Sequence, residues 1–248
     1  MDAKVSQIVL DRNSYKVKMY GKSDGKLIVF PIFHYQGDSQ YFDLISPLVD
    51  KGYKVITCNF LNIGDKVLTF NYYYSLIIQF IKLLEADKKI KWKNVTVMGF
   101  GIGANLASYL NKTSLDISRL ILISPINKFK SDYSISKEVA NYKIPTYIFY
   151  GQFDSNTSVD TRFQIYSKGK NNPKVQFFCY PRKEHFLYYG DSVSFELEDF
   201  YKNNDYNVLR GEDSKRIHSI FLPTNPELNE EFFTHLFNIL NSRPNKKR

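Results

Sequence analysis

The chain has 248 residues, 43% of them hydrophobic, and a formal net charge of +9. This size suits one α/β domain over residues 1–248, which would bury roughly three quarters of its unfolded surface, and argues against a second full domain. No stretch approaches the ~18 apolar residues of a membrane span, and the first residues lack the apolar core of a signal peptide. We therefore expect a soluble, cytoplasmic protein.

The positive charge is spread along the chain, with one short basic tail at 243–248. Dispersed charge of this kind favours anionic partners only in a general way, and a terminal basic cluster is usually a solvated end. We expect no specific nucleic-acid binding. Oligomeric state is not indicated by the sequence.

The first third of the chain predicts a sheet that begins with a hairpin. Residues 5–10 and 15–20 alternate in hydrophobicity, as antiparallel edge strands do. Residues 26–30 are almost continuously apolar, which is typical of a strand buried on both faces, and start the predicted parallel part. A helix up to Asp50, a strand at 53–58 and an apolar helix at 71–85 follow.

Residues 94–110 are the most informative stretch. A β-branched run leads to three alternating glycines, Gly99, Gly101 and Gly103, and then to small and apolar residues. The pattern predicts a strand, a sharp turn and a helix. The glycine spacing differs from the Gly-x-Gly-x-x-Gly of dinucleotide-binding loops, so no nucleotide cofactor is expected.

This stretch resembles the nucleophile elbow of the α/β-hydrolase superfamily, in which a serine stands between flanking glycines as Gly-x-Ser-x-Gly. Gly101 occupies the serine position. The resemblance implies an α/β-hydrolase fold, with a mostly parallel sheet and helices on both faces. It also implies an oxyanion hole formed by the backbone N–H groups of Ile102 and of Phe33 or a close neighbour. The His-Gly stretch of that second loop is matched only in part, by His34 and Gly37.

The second half of the chain continues the resemblance. Strands are predicted at 119–125, 144–151 and 174–179, with a helix at 160–169 before the last of them. The first two are separated by about twenty residues, which leaves room for one helix and no lid, so any pocket should be open and shallow. Asp154 and His185 follow the second and third of these strands. The resemblance implies that Asp154 is the acid and His185 the general base of the triad.

The last segment departs from the superfamily pattern. An insertion at about 187–226 contains an acidic stretch at 191–205 and a possible strand at 216–222, before a helix at 227–241. Such an insertion beside the site could cover the pocket, bind a partner or form an additional surface layer.

The other candidate nucleophiles and metal ligands in the sequence lack a supporting context. Ser39 lies in a Gly-Asp-Ser triplet like that of GDSL hydrolases, but seven residues past its strand, which favours a loop or helix-cap role. Cys58 and Cys179 are predicted to be buried thiols rather than a disulfide. The histidines and cysteines are dispersed, so no metal site is expected.

Function then depends on Gly101. Losing one triad member costs a factor of about 10⁴ to 10⁶ in turnover, so an acyl-enzyme mechanism is disfavoured. The favoured hypothesis is a non-catalytic protein that binds a small acyl-type ligand or a protein partner, as a scaffolding or regulatory pseudoenzyme. The N-myc downstream-regulated family, whose elbow is similar in having this glycine, is a precedent.

Three alternatives stay open. One is a serine hydrolase of esterase, thioesterase or peptidase type in which position 101 is substituted, because a serine there would give an ordinary elbow. Another is a hydrolase in which His185 and Asp154 activate water directly. The third is a non-hydrolytic enzyme that uses His185 as a proton carrier.

Overall fold

The computed structural model describes residues 3–22, 24–34, 36–61, 70–86, 95–127, 133–152, 154, 157–181, 183, 185–188 and 228–242. All structural statements below refer to these residues. Nearly all of the predicted insertion at 187–226, including its acidic stretch and its possible strand, lies outside them, as does the basic tail at 243–248.

The described residues form an eight-stranded sheet with the strand order β1-β2-β4-β3-β5-β6-β7-β8. Strands β1 and β2 form an antiparallel hairpin, and β2 pairs antiparallel with β4. The six strands from β3 to β8 are parallel to one another. This confirms the predicted mostly parallel sheet. The strands are β1 (Lys4–Leu10), β2 (Asn13–Tyr20), β3 (Leu27–Ile32), β4 (Lys54–Asn59), β5 (Thr96–Phe100), β6 (Arg119–Ile123), β7 (Thr146–Gly151) and β8 (Val175–Tyr180).

Helices connect the parallel strands, as the crossover rule for such sheets requires. The described α-helices are α1 (Phe42–Asp50), α2 (Phe70–Glu85), α3 (Ile102–Tyr109), α4 (Ile135–Glu138), α5 (Val159–Gly169) and α6 (Glu230–Asn241), with short 3-10 helices at Gly37–Tyr41, Leu110–Lys112 and Val139–Asn141. None of these helices is long and apolar enough to cross a membrane.

The inner strands of the sheet are buried on both faces. Neighbouring residues of β3 enter different cores, because side chains alternate along a strand. Val29 packs in the core that contains α2 and α3, and Ile28 packs in the core that contains α1 and α6. This two-sided burial explains why the inner strands are continuously apolar, and it confirms the predicted fold class.

The cysteines differ from the prediction in one respect. Cys58 on β4 is fully buried, but Cys179 on β8 is exposed. The reason is topological, since β8 is the last strand in the order and no described strand covers its outer edge. The expectation of two buried thiols was therefore wrong for Cys179.

Candidate active site

The turn between β5 and α3 is sharp and is formed around a glycine with unusual backbone angles. Gly101 has φ 53° and ψ −117°, a conformation that side-chain-bearing residues rarely adopt. Its N–H donates to the Ile123 carbonyl of the neighbouring strand at 2.9 Å. The predicted sharp turn thus exists, with Gly101 at its apex and Ile102 as the first residue of α3.

The two flanking glycines are required by close packing. A Cβ on Gly99 would overlap the Gly103 carbonyl, and a Cβ on Gly103 would lie 2.5 Å from the carbonyl oxygen of Pro31. Both obstacles are backbone atoms that cannot move aside cheaply. The start of α3 therefore packs directly against the end of β3.

Position 101 is different, because it has space for a side chain. Among the described residues, a Cβ there would meet only the imidazole of His185, at 3.4 Å from Nε2 and 3.8 Å from Cε1. A hydroxyl one bond further out could reach hydrogen-bonding distance from Nε2. The structure thus brings Gly101 and His185 together, as a triad requires.

His185 is paired with Asp154. Its Nδ1 lies 3.0 Å from Asp154 Oδ1, and the two residues are only 7% and 3% exposed. The tautomer that donates Nδ1–H to this carboxylate leaves Nε2, the ring nitrogen nearest the Cβ position of residue 101, as an acceptor. This dyad can remove a proton from a group held at position 101.

The loop that carries Asp154 is held by Arg162 of α5. The guanidinium donates to the backbone carbonyls of Asp154 at 2.8 Å, Thr157 at 2.9 Å and Gln152 at 2.8 Å. Sequence reasoning missed this residue, because an arginine near the start of a polar helix looks like ordinary surface charge. Its position four residues after the helix cap Ser158 was the only available signal.

The loop that carries His185 is held from two sides. The hydroxyl of buried Ser124 donates to the His185 carbonyl at 2.7 Å, and Ser124 itself has φ 47°. The Asn229 amide group donates to the Leu187 carbonyl at 2.8 Å, and the Asn229 N–H donates to the Tyr188 carbonyl at 2.9 Å. A strained non-glycine backbone is retained only where surrounding contacts fix it. Neither Ser124 nor Asn229 was identified from the sequence.

The predicted oxyanion donors come from adjacent backbone segments. Phe33 directly follows β3, and Ile102 opens α3, which packs on β3 at Gly103. Asn59 fixes the segment just after Phe33. Its Oδ1 accepts from the His34 N–H at 3.3 Å, and its Nδ2 donates to the His34 carbonyl at 2.9 Å.

A buried carboxylate anchors the rest of this loop. Asp38 in the 3-10 helix is 7% exposed and accepts from Lys18 Nζ at 2.6 Å, from the Tyr20 hydroxyl and from Thr57. Burial, followed by the hydrogen bond with Asp38, raises the pKa of Tyr20. The hydroxyl of neighbouring Ser39 donates to the Gln36 carbonyl at 2.7 Å, in line with its predicted loop role.

Aromatic rings flank the imidazole of His185. Phe100, the residue before Gly101, meets His185 edge to face at 4.8 Å between ring centroids and stacks on Phe186 at 5.3 Å. Tyr41 and Tyr188 also pack against Phe100. The wall beside the dyad is therefore apolar, which suits the hydrocarbon part of a ligand. In the described part of the chain, no group of three or more His, Cys, Asp or Glu residues could hold a metal ion.

A sharp glycine turn after β5, Asp154 after β7 and His185 after β8, all at the carboxyl edge of one parallel sheet, have the arrangement typical of the α/β-hydrolase class. Within that class, the sequence profile of the dienelactone hydrolase family matches residues 27–207, more than two thirds of the chain. The chain belongs to the dienelactone hydrolase family.

Solved structures with the same fold are named as esterases or thioesterases. The esterase Pf2001 of Pyrococcus furiosus has a TM-score of 0.62 at 16% identity, covering 82% of this chain and 87% of its own. Carboxylesterase CesB (YbfK) of Bacillus subtilis has a TM-score of 0.59 at 10% identity, and the match covers 91% of this chain and 93% of the esterase. The thioesterase domain from the curacin biosynthetic pathway has a TM-score of 0.60 at 10% identity, and the match covers 75% of this chain and 95% of the domain. At these identities the likeness shows the fold alone. No curated protein matches the chain in sequence.

Proposed function

We propose that this protein binds small acyl compounds of ester or thioester type above Gly101 and does so without forming an acyl-enzyme. The observation that carries the proposal is the complete His185–Asp154 dyad facing a residue without a reactive atom. The Nε2 atom of His185 lies 3.4 Å from the Cβ position of residue 101, which supports the hypothesis that a nucleophile once stood there.

The chemistry of the surroundings supports an acyl ligand. The N–H of Ile102, at the start of α3, and the N–H of Phe33 are the proposed donors to a carbonyl oxygen. The aromatic rings of Phe100 and Phe186 would contact the adjoining apolar group. The site therefore combines polar donors for a carbonyl with an apolar wall, which is what ester recognition needs.

The absence of a side chain at Gly101 argues against covalent catalysis. An acyl-enzyme requires a hydroxyl or thiol within reach of the base, and Gly101 supplies neither. A triad without its nucleophile retains only the weak catalysis of the oxyanion hole and of substrate positioning. A binding or regulatory role uses the same pocket and needs no turnover.

A second candidate is slow hydrolysis by water. The space at Gly101 next to Nε2 is where a serine hydroxyl would stand, and a water molecule there could donate its proton to His185. The family match and the names of the structural neighbours support this hydrolytic alternative more directly than a purely non-catalytic role. It, too, proceeds without an acyl-enzyme.

The test uses the protein with its own Gly101. Ligand-observed NMR with p-nitrobutyranilide, an amide analogue of p-nitrophenyl butyrate, measures binding. A fluorophosphonate probe followed by intact-mass spectrometry detects any covalent nucleophile. We expect saturable binding that is weakened by Phe186→Ala, and no covalent adduct. The matched control is Tyr166→Ala, which removes an exposed aromatic ring from α5.

The hydrolysis rate of p-nitrophenyl butyrate separates the two candidates. A binding protein gives the same background rate for the natural protein and for His185→Ala. Water activation gives turnover that His185→Ala abolishes. A fluorophosphonate adduct on the natural protein, or absence of any saturable ligand binding, would overturn the proposal.

A further inference from the structure

A cavity lies at the edge of the sheet opposite Gly101, where the parallel strands begin. Its volume is about 230 Å³. Thr96, which starts β5, lines this cavity, and Gly101 follows the end of the same strand. At 3.2–3.4 Å per residue these two positions are roughly 16 Å apart, so the cavity is separate from the candidate active site.

The lining of this cavity is rich in hydrogen-bond donors. Its polar members are Lys26, Tyr53, Thr96, Ser118, Arg119, Asn241 and Ser242, and apolar residues of β3 and α6 complete it. Two of these side chains are cationic, and none of the described residues that line the cavity is acidic. The cavity is therefore electropositive.

Arg119 is the central group of the cavity. It is only 4% exposed, and arginine is rarely buried without a negatively charged partner. None of the ion pairs within the described part of the chain involves it. Burial lowers the pKa of its guanidinium, which reflects the cost of holding this charge away from water.

Among the described residues, the acceptors of Arg119 are all neutral. Nη1 donates to the Ile239 carbonyl and to Ser242 Oγ at 3.2 Å, and Nη2 donates to the Ser242 carbonyl at 2.9 Å. Nε donates to Ser118 Oγ at 3.4 Å. A guanidinium has five N–H donors, so one Nη2–H remains without an acceptor among the described residues.

The carbonyl groups that face Arg119 belong to the end of α6. The C-terminus of a helix carries roughly half a negative charge, so it offsets only part of the guanidinium charge. Exposed Lys26 adds a second positive charge at the mouth of the cavity. The site thus keeps an excess of positive charge next to the one Nη2–H that has no acceptor among the described residues.

We propose that this cavity binds a small oxyanion, a phosphate, sulfate or carboxylate group, through Arg119, Lys26 and the neighbouring hydroxyl groups. Guanidinium groups recognise such anions by charge-assisted, paired hydrogen bonds. The volume lies below the roughly 300–1,000 Å³ of pockets for drug-sized ligands, so a small anion or a small anionic metabolite fits and a dinucleotide does not. The site does not depend on the function proposed for Gly101 and His185.

The bound anion would stabilise α6. The last turn of α6 contributes to the cavity, and Tyr53 Oη donates to Asn241 Oδ1 there at 2.8 Å. The other end of this helix, about 18 Å away for twelve residues, begins at Asn229, which holds the His185 loop. Anion binding should therefore increase the hydrogen-exchange protection of α6 amides.

Titration calorimetry and thermal unfolding with inorganic phosphate, sulfate and acetate test this site, with sodium chloride keeping the ionic strength constant. The three anions show which oxyanion is preferred. We expect saturable binding of at least one of them, with a matching rise in melting temperature and with slower exchange in α6.

Variants assign the binding to the cavity. Arg119→Lys keeps the charge and loses the paired donors, so Kd should rise roughly tenfold or more. A second variant, Lys26→Gln, keeps the buried guanidinium and so tests the site even if Arg119→Lys does not fold. It should raise Kd roughly twofold to fivefold. Exposed Lys82 on α2 gives the control Lys82→Gln, which should bind like the natural protein.

The alternative is that Arg119 only caps the end of α6. In that case Arg119→Lys destabilises the protein, but no anion gives saturable heat or a melting shift beyond that of chloride. That result would overturn the proposal. Equal Kd values for Lys26→Gln, Lys82→Gln and the natural protein would also contradict it.

Discussion

The close packing of α3 against β3 at Gly103 predicts a stability change opposite to the one that helix propensity predicts. Gly103 lies in the first turn of α3, where replacing glycine by alanine ordinarily stabilises a helix by about 0.5–1 kcal/mol. In this structure the new Cβ would lie 2.5 Å from the Pro31 carbonyl oxygen. Gly103→Ala should therefore destabilise the protein instead.

The size of the effect follows from the contact. The atom met is backbone at the end of β3, so α3 and β3 must separate, and overpacking of this kind costs about 1–3 kcal/mol. A chain of this length loses roughly 2–4 °C of melting temperature per kcal/mol. The expected drop for Gly103→Ala is about 2–12 °C.

Gly101→Ala is the informative comparison. Its Cβ has space, because the nearest atom is His185 Nε2 at 3.4 Å, but its φ of 53° is strained for alanine at a cost of about 1–3 kcal/mol. The variant should fold with intact contacts between β3 and α3. Urea unfolding followed by circular dichroism gives both free energies, and amide exchange locates the disturbance. A stabilised Gly103→Ala would refute the packing on which the elbow assignment depends.

Three further predictions concern groups outside the elbow. Burial raises the pKa of the Cys58 thiol and shields it from reagents, whereas Cys179 is exposed. A thiol reagent at pH 8 should therefore label Cys179 within minutes and Cys58 only on unfolding. A second label on the native protein would contradict this. Arg162→Met removes three hydrogen bonds to the loop that carries Asp154, and it should lower the free energy of unfolding by about 1–3 kcal/mol. An unchanged melting temperature would show that the loop does not need these bonds. In a Gly101→Ser background, Asn59→Ala should lower kcat with little change in KM, because it loosens the loop of the proposed oxyanion donor; a change in KM alone would point to substrate binding instead.

The sequence allowed most of the fold to be predicted because its signals are local. Local backbone conformation is indicated by three patterns. They are the alternation in β1 and β2, the continuous apolar runs in β3 and β6, and the three glycines at 99, 101 and 103. The order of elbow, Asp154 and His185 along the chain then indicated which loops meet at one sheet edge. The structure brings these residues together, while their catalytic roles stay predictions.

The supporting residues could not be predicted, because their roles arise only in three dimensions. Ser124 lies at the end of an ordinary apolar strand, yet its hydroxyl holds His185 from across the sheet edge. Asn59 ends β4 and reaches the loop after β3, 25 residues earlier in the chain. The exposure of Cys179 likewise depends on β8 being last in the strand order, which no local pattern shows.

The central claim, that the site lacks only its nucleophile, is tested most directly by supplying one. Gly101→Ser and Gly101→Cys are compared with Gly101→Ala in hydrolysis of p-nitrophenyl acetate and butyrate, with His185→Ala added to each. The account predicts that the serine or cysteine variant is at least about 100-fold faster than the alanine variant, a part of the roughly 10⁴ to 10⁶ that a triad supplies, and that His185→Ala removes the gain. Folded serine and cysteine variants that are no faster than Gly101→Ala would contradict the claim.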